Sequence, residues 1–401
     1  MNKISYFITT FFKNRQKEWG TTPAPMSQNP ASSGHFPNPA LPIAGETQWW
    51  NNTYSDAATN LSDAMKVYDP KGKFVILKEP IKQGGEGAIY NFPETDRCLI
   101  KIYNADIRSN LNKMSDISNR LADMVNMKEF CKLSHLAWPR LVVYDSHDSN
   151  RKIIGFAMNK VQGHSFRSLH YIVNVNKYFP GWNRINLAET SLDFVRKLKI
   201  LHANGILIND FNPSNIFINP KDGKVNFLDC NCYQVVVPGK KRIHRSGAYF
   251  PTHCAPEILL NPDLLKKPRN VEQDLFGAAI TIFQTLMLGL HPYSRVGGED
   301  PEENLRSGIC ALGTDSRCRL PVGHWFNRWS WLPYNLKDCF VQTFRKEQGH
   351  VNPSLRPKLN DWENALKEYV GRLKGNNPNL IPDLTPVSPK PSARKGKKTV
   401  I

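Results

Sequence analysis

Three segments far apart in the chain carry groups suited to gripping a polyphosphate and its cation: Gly84-Gly85-Glu86-Gly87, then Lys101, then Asp210 with Asn215 and Asp229. Glycines between two strand-like runs let backbone N–H groups approach phosphate oxygens with no Cβ in the way. Lys101 follows Gly87 by 14 residues, inside the β-rich run Cys98-Leu99-Ile100-Lys101-Ile102-Tyr103, from which an ammonium can reach such oxygens. Asp210 and Asn215 stand five residues apart, and Asp229 lies 14 further on. Their carboxylate and amide oxygens are the ligand type that hard divalent cations prefer. Each feature alone has a plain alternative: the glycines could form an ordinary hairpin turn, and a Lys in an apolar strand could reach out to solvent. Order and interval together point to one site.

Positioning such groups takes a substantial core, and 401 residues with 40% hydrophobic content, nine Trp and twenty Phe can supply one or two. No run approaches the ~18 apolar residues that a membrane span needs. The eight cysteines are scattered, without the spacing of a zinc site, and read as reduced thiols. Strand-like runs occur at Phe74-Val75-Ile76-Leu77, Ala88-Ile89-Tyr90, 98–103, Leu141-Val142-Val143-Tyr144 and 153–158, with a helical stripe over 111–129 (Leu111, Met114, Ile117, Leu121, Met124, Val125). After Gly163 long amphipathic stretches dominate near 185–203, 271–289 and 334–347. The body is therefore expected as a sheet lobe over 70–162 and a helical lobe over 163–372.

Outside the body, Ile4, Phe7, Ile8, Phe11 and Phe12 would form one apolar stripe, making 1–18 a candidate amphipathic helix. It could dock in a partner groove, lie on an anionic membrane surface, or be a marginal helix with no role. A secretory signal fits poorly, because no small-residue cleavage site follows. Residues 19–69 read as a disordered linker, and 373–401 as a disordered, basic, Pro-rich tail. The net charge of +18 raises contact with nucleic acid or membrane through the tails, but no nucleic-acid motif accompanies the cluster Lys390, Arg394, Lys395, Lys397 and Lys398.

The segment Ile208-Asn209-Asp210-Phe211-Asn212-Pro213-Ser214-Asn215 resembles the protein-kinase catalytic loop H-R-D-L-x-x-x-N. Asp229, ending the run Val225-Asn226-Phe227-Leu228, matches the Asp of D-F-G. Ala255-Pro256-Glu257 matches A-P-E, Asp274-Leu275-Phe276-Gly277 resembles the start of the helix whose Asp steadies the catalytic loop, and Arg356 is placed like the buried Arg that pairs with the A-P-E Glu. The resemblance covers roughly 75 to 370. It implies an α+β, bilobal protein-kinase-like fold, with a small antiparallel-sheet N-lobe and a larger helical C-lobe. It implies ATP and Mg2+ as cofactors, with Asp210 and Lys101 as catalytic residues. Gly84, Gly85 and Gly87 would cover the phosphates, Lys101 would bind α and β oxygens, and Asn215 and Asp229 would hold metal. Ile89, Met158 and Phe217 would surround the base.

More narrowly, the chain is similar to a bacterial eukaryotic-like Ser/Thr kinase branch that reads G-G-E-G, D-x-N-P-x-N and D-x-x-S/C-[FY]-Q, here residues 84–87, 210–215 and 229–234. That resemblance implies a protein substrate, and a PP2C-type phosphatase and a vWA-domain protein as further partners. The function expected is an ATP- and Mg2+-dependent protein kinase acting on Ser or Thr; the alternative is a pseudokinase or nucleotide-binding scaffold. The location expected is cytoplasmic, with 1–18 as a peripheral membrane contact.

Several positions depart from the pattern. The helix carboxylate that pairs with the strand Lys has no clear match: its place falls near Asn119, with Asp116 or Glu129 as substitutes. Leu99 and Phe217 are larger than the residues usual around adenine. Asn209 replaces the Arg that would grip an activation-loop phosphate, so that switch is not expected here. Asn212 and Phe250 replace a Lys and a Thr tied to hydroxyl-acceptor choice.

Overall fold

The computed structural model describes residues 65–297, 300–314, 316–321, 323–375 and 383–390. The stripe of residues 1–18, the linker up to 64 and the basic cluster beyond Lys390 lie outside the described residues.

Strands β1 (Met65–Tyr68), β2 (Phe74–Leu77), β3 (Lys82–Gln83), β4 (Gly87–Asn91), β5 (Cys98–Tyr103), β6 (Pro139–Tyr144) and β7 (Ile153–Asn159) form one sheet in the order β2-β1-β6-β7-β5-β4-β3. Every pairing in it is antiparallel. Side chains alternate between its two faces. On β5, Cys98, Ile100 and Ile102 enter one apolar cluster with Val67, Val75, Leu77 and Val143. Leu99 and Tyr103 join another with Leu121, Phe156 and Met158. Period two therefore puts Lys101 on the face of Leu99 and Tyr103, the one that packs on helix α1 (Leu111–Asn126). Asn110 caps α1 by accepting from the Lys113 N–H at 3.0 Å. Leu111, expected in the apolar stripe, is 75% exposed.

β1 lies inside the stretch expected as linker. Four residues are too few to show a period, and the strand is held by its neighbour: Met65–Tyr68 pairs residue for residue with Leu77–Phe74. The turn between them is set by Asp69, whose Oδ1 accepts the Lys71 and Lys73 N–H groups, both at 2.8 Å.

The second lobe is built on α2 (Arg184–Ala203), α3 (Val271–Leu286), α4 (His324–Trp331), α5 (Tyr334–Phe344) and α6 (Leu359–Lys374). Capping boxes start two of them, Asn183 with Asn186 and Asn270 with Gln273. Helix α3, expected to be amphipathic, is buried at every position from Asp274 to Leu286 and is the lobe's central element. Its hydroxyls are satisfied internally: Thr281 and Thr285 donate to carbonyls four residues back, at 3.0 and 2.8 Å. On the lobe surface, part of the stretch expected as disordered tail lies along α4. Carbonyls of Asp383, Pro386 and Ser388 accept from Arg184, Asn327 and Trp331 at 2.9, 2.9 and 3.0 Å. A Pro-rich extended segment leaves its carbonyls open to such donors. The architecture is α+β in two lobes, one an antiparallel sheet and one mainly helical. No helix among the described residues is long and apolar enough to cross a membrane.

Candidate active site

The glycine segment bridges β3 and β4. The Gly84 N–H donates to Gly87 O at 2.9 Å, and Asn104, just past β5, pins the loop from the side. Its side-chain amide donates to Gly84 O and Gly85 O at 3.0 and 3.2 Å, and its backbone N–H to Glu86 O at 3.0 Å. A Cβ on Gly87 would stand 2.2 Å from Ile102 O, so the approach of loop to strand requires glycine there. Ile89, Leu99 and Met158 belong to the apolar cluster on the Lys101 face. Phe217 sits on the other lobe, half-buried, between Asn226 and Ser165.

Lys101 is buried, and its Nζ lies 3.2 Å from Glu86 Oε2 and 3.4 Å from Asp229 Oδ1. Burial by itself would lower the pKa of this ammonium, but the carboxylates of Asp229 and Glu86 outweigh it and hold the group well above its ordinary value. The contact with Asp229 spans 128 positions of sequence and joins the two lobes.

A short hairpin fixes the loop residues. β8 (Ile216–Ile218) pairs with β9 (Val225–Phe227), with Ile216 opposite Phe227. Continuing the ladder one step puts Asn215 opposite Leu228, whose N–H donates to Asn215 O at 2.9 Å, and Asp229 follows at once. From the other side, buried Asp274 of α3 accepts the Asn209 and Ile208 N–H groups at 2.7 and 3.1 Å, with His202 Nε2 at 2.7 Å. Asn209 and Asp229 both take left-handed backbone angles, φ 58° and 52°. Strained residues of this kind persist where surrounding bonds over-determine them; here Asn209 directly precedes Asp210, and Asp229 directly follows Leu228, the partner of Asn215. Phe211 packs so closely on α3 that a Cβ at Gly277 would come within 2.3 Å of its ring.

Cys232 lies among these groups, its Sγ 3.8 Å from Glu86 Oε2. Burial pushes Cys232 well above its ordinary pKa, and the charges of Glu86, Lys101, Asp229 and Asp210 all act on it. The structure thus gathers Lys101, Asp210, Asn215 and Asp229, with the Gly84–Gly87 loop, around one region. Asp229 and Asn215 present one carboxylate and one amide oxygen, a donor set that suits Mg2+.

Neither Asp116 nor Glu129 serves Lys101: both are exposed, and the carboxylates beside the ammonium are Glu86 and Asp229. Helix α1 instead turns its inward polar groups to the segment after Asp229. Arg120 donates to the carbonyls of Asn231 and Tyr233 at 3.2 and 2.9 Å. Asp123, buried, accepts from Lys240 at 2.6 Å and Arg242 at 3.0 Å, and lies 2.8 Å from His244 Nε2. These groups sit on the hairpin of β10 (Gln234–Val236) and β11 (Ile243–His244). Sequence reasoning missed Glu86, Asn104, Arg120 and Asp123 as partners. One readable signal was the period-two run Lys240, Arg242, His244, three basic groups on one side of a turn, facing an Asp among apolar helix positions.

Burial by itself would raise the Asp123 pKa, but the hydrogen bonds from Lys240, His244 and Arg242 hold it at about 2, against an ordinary 3.8. A depressed carboxyl pKa contributes stability that is complete above about pH 4 and is lost as pH falls towards about 2, here about 2 kcal/mol. Asp123→Asn should therefore flatten the acid limb of a urea-unfolding series between those values. An acid limb identical to that of the wild type would show that the cluster is not linked to folding.

No family model matches the chain. It is similar to protein kinase YegI of Escherichia coli K12, 27% identical over 331 residues, covering 77% of this chain and 47% of the relative. Serine/threonine-protein kinase mos of Gallus gallus is 32% identical over 233 residues, 53% of this chain and 62% of the relative. 3-phosphoinositide-dependent protein kinase 1 of Rattus norvegicus is 29% identical over 133 residues, 33% of this chain and 22% of the relative. The chain spans about half the length of the YegI relatives, 47% of each. The two-lobed fold and the ion pair that joins the lobes stand beside this similarity to protein kinases, which extends over 77% of the chain.

Proposed function

We propose that the chain is an ATP- and Mg2+-dependent protein kinase that transfers the γ-phosphate to a Ser or Thr hydroxyl of a protein substrate. The observation that carries this is the contact of Lys101 with Asp229, which brings a phosphate-binding cation and a metal-binding anion from separate lobes to 3.4 Å. Gly84, Gly85 and Gly87 bring backbone close to the phosphates, Lys101 neutralises α and β oxygens, and Ile89, Met158 and Phe217 border the base. Asp229 and Asn215 would hold Mg2+, which when bound would supply charge neutralisation to the phosphates. Asp210 orients the acceptor hydroxyl and takes its proton, and Asp274 keeps that loop in place through the Ile208 and Asn209 N–H groups. Catalysis of this kind is chiefly positioning and electrostatics. The Ser/Thr choice draws support from the mos relatives, which are named serine/threonine-protein kinases. A PP2C-type phosphatase and a vWA-domain protein are the partners proposed from the 84–87 and 210–215 motifs.

The test is to incubate purified chain with γ-labelled ATP, Mg2+ and general acceptor proteins, followed by phosphoamino-acid analysis. Label on Ser or Thr, lost with EDTA, is the expected result. Nucleotide binding without transfer, across acceptors and metals, would replace the enzyme by a nucleotide-binding scaffold.

A further inference from the structure

Helix α1 offers Lys101 no carboxylate. Asp116 and Glu129 face solvent, and the inward polar groups Arg120 and Asp123 are bonded to the segment beyond Asp229. Yet the Lys101 side chain is only 6% exposed, and a buried ammonium needs paired anions to keep both its charge and its direction. One anion, Asp229, lies on the lobe opposite and is assigned to metal. The other comes from the phosphate loop. In the β4–β5 ladder Gly87 stands opposite Tyr103 and Ile89 opposite Lys101, so residue 86 hangs just past the end of the ladder. The Asn104 N–H grips Glu86 O there, and the side chain turns onto the face shared by Lys101 and Tyr103. Its Oε2 also lies 3.8 Å from Cys232 Sγ, on the segment after Asp229.

We propose that Glu86 is the positioning residue for Lys101, a carboxylate that the phosphate loop supplies where the helix supplies none. This rests on reading the chain as a phosphotransferase and deepens it: loop and strand are coupled directly, and the seat of the phosphate-binding ammonium is set when the loop closes. The opposed possibility is that Glu86 occupies the phosphates' own place and blocks nucleotide. The two predict opposite effects of removing the charge.

Glu86→Gln is measured in two ways. The first is steady-state transfer with nucleotide affinity determined separately. Positioning predicts turnover reduced roughly tenfold to a hundredfold, the loss expected of a misplaced catalytic group, with the dissociation constant for ATP within about threefold of wild type. Glu86→Asp should recover part of the turnover. The second is the pH profile of Lys101 acylation by an amine-reactive reagent, read by peptide mass spectrometry, with exposed Glu129→Gln as control. The labelling midpoint should fall in Glu86→Gln and stay in place in Glu129→Gln. Undiminished turnover, tighter nucleotide binding, or a Glu86→Gln labelling curve superimposed on that of the wild type would each overturn the proposal. If the wild type transfers no phosphate at all, the transfer reading falls by itself, and the labelling profile still decides the Glu86–Lys101 pair.

Discussion

Asp229→Asn is expected to lose phosphate transfer by on the order of a thousandfold or more, since metal-borne charge stabilisation is worth several kcal/mol. It should also abolish the gain in nucleotide affinity that Mg2+ gives. Asp229 lies 3.4 Å from the Lys101 ammonium and, in the proposed role, would also hold the metal. The amide keeps the shape and the left-handed turn but not the charge. Asp210→Asn provides the contrast. In the proposed role its carboxylate takes the acceptor proton and holds no metal, so transfer should fall by roughly 10²–10⁴-fold, the usual share of a general base, while nucleotide binding keeps its Mg2+ dependence. Initial rates and nucleotide affinities with and without Mg2+ separate the two. Equal losses of affinity in both variants would show that the roles are wrongly divided.

The second large effect is on stability. Arg356 is fully buried and forms a two-pronged pair with Glu257, Nη1 to Oε1 at 2.9 Å and Nη2 to Oε2 at 2.7 Å. The same guanidinium donates to Gly349 O at 2.7 Å and Glu272 O at 2.8 Å, and lies over the Phe276 ring. Removing one partner of such a pair strands the other's charge, at a cost of about 3–5 kcal/mol. The stranding is worse for Glu257→Ala, because Arg356 has no route to water, whereas the Glu257 side chain is 22% exposed and can rehydrate. Arg356→Met instead leaves two carbonyls without their donor. Either variant should lower the melting temperature by on the order of 10 °C, and the double variant should be less destabilised than the sum of the singles. Strict additivity in that cycle would mean that the pair is not coupled.

The parts of this geometry legible in the sequence are those set by local periods. Alternation along Cys98–Tyr103 places Lys101 on the helix-facing side of its strand. The hairpin of Ile216–Ile218 with Val225–Phe227 is short enough for its ladder to bring Asn215 beside Asp229. Asp274, Glu257 and Arg356 were readable because each lies in a motif whose spacing survives on its own. The division into a sheet lobe and a helical lobe followed from the change of period after Gly163. Less legible were features decided by contact between distant elements. Glu86 stands only 15 positions from Lys101, but its direction depends on how Asn104 pins the loop. β1 exists because β2 is there to pair with it, and residues 383–390 are ordered by side chains of α2 and α4 that no local pattern announces. The burial of α3 on all sides depends on what surrounds it, which its own period cannot report.

The carboxylate of Asp123 has a consequence for how the β10–β11 hairpin can move. To lift that hairpin away, two cationic side chains, Lys240 and Arg242, and the imidazole of His244 must release one buried anion together, because a partial release leaves the anion inside with too few partners. Intermediate positions are thereby penalised, and the hairpin behaves as a latch with two settings, seated or sprung, and little in between.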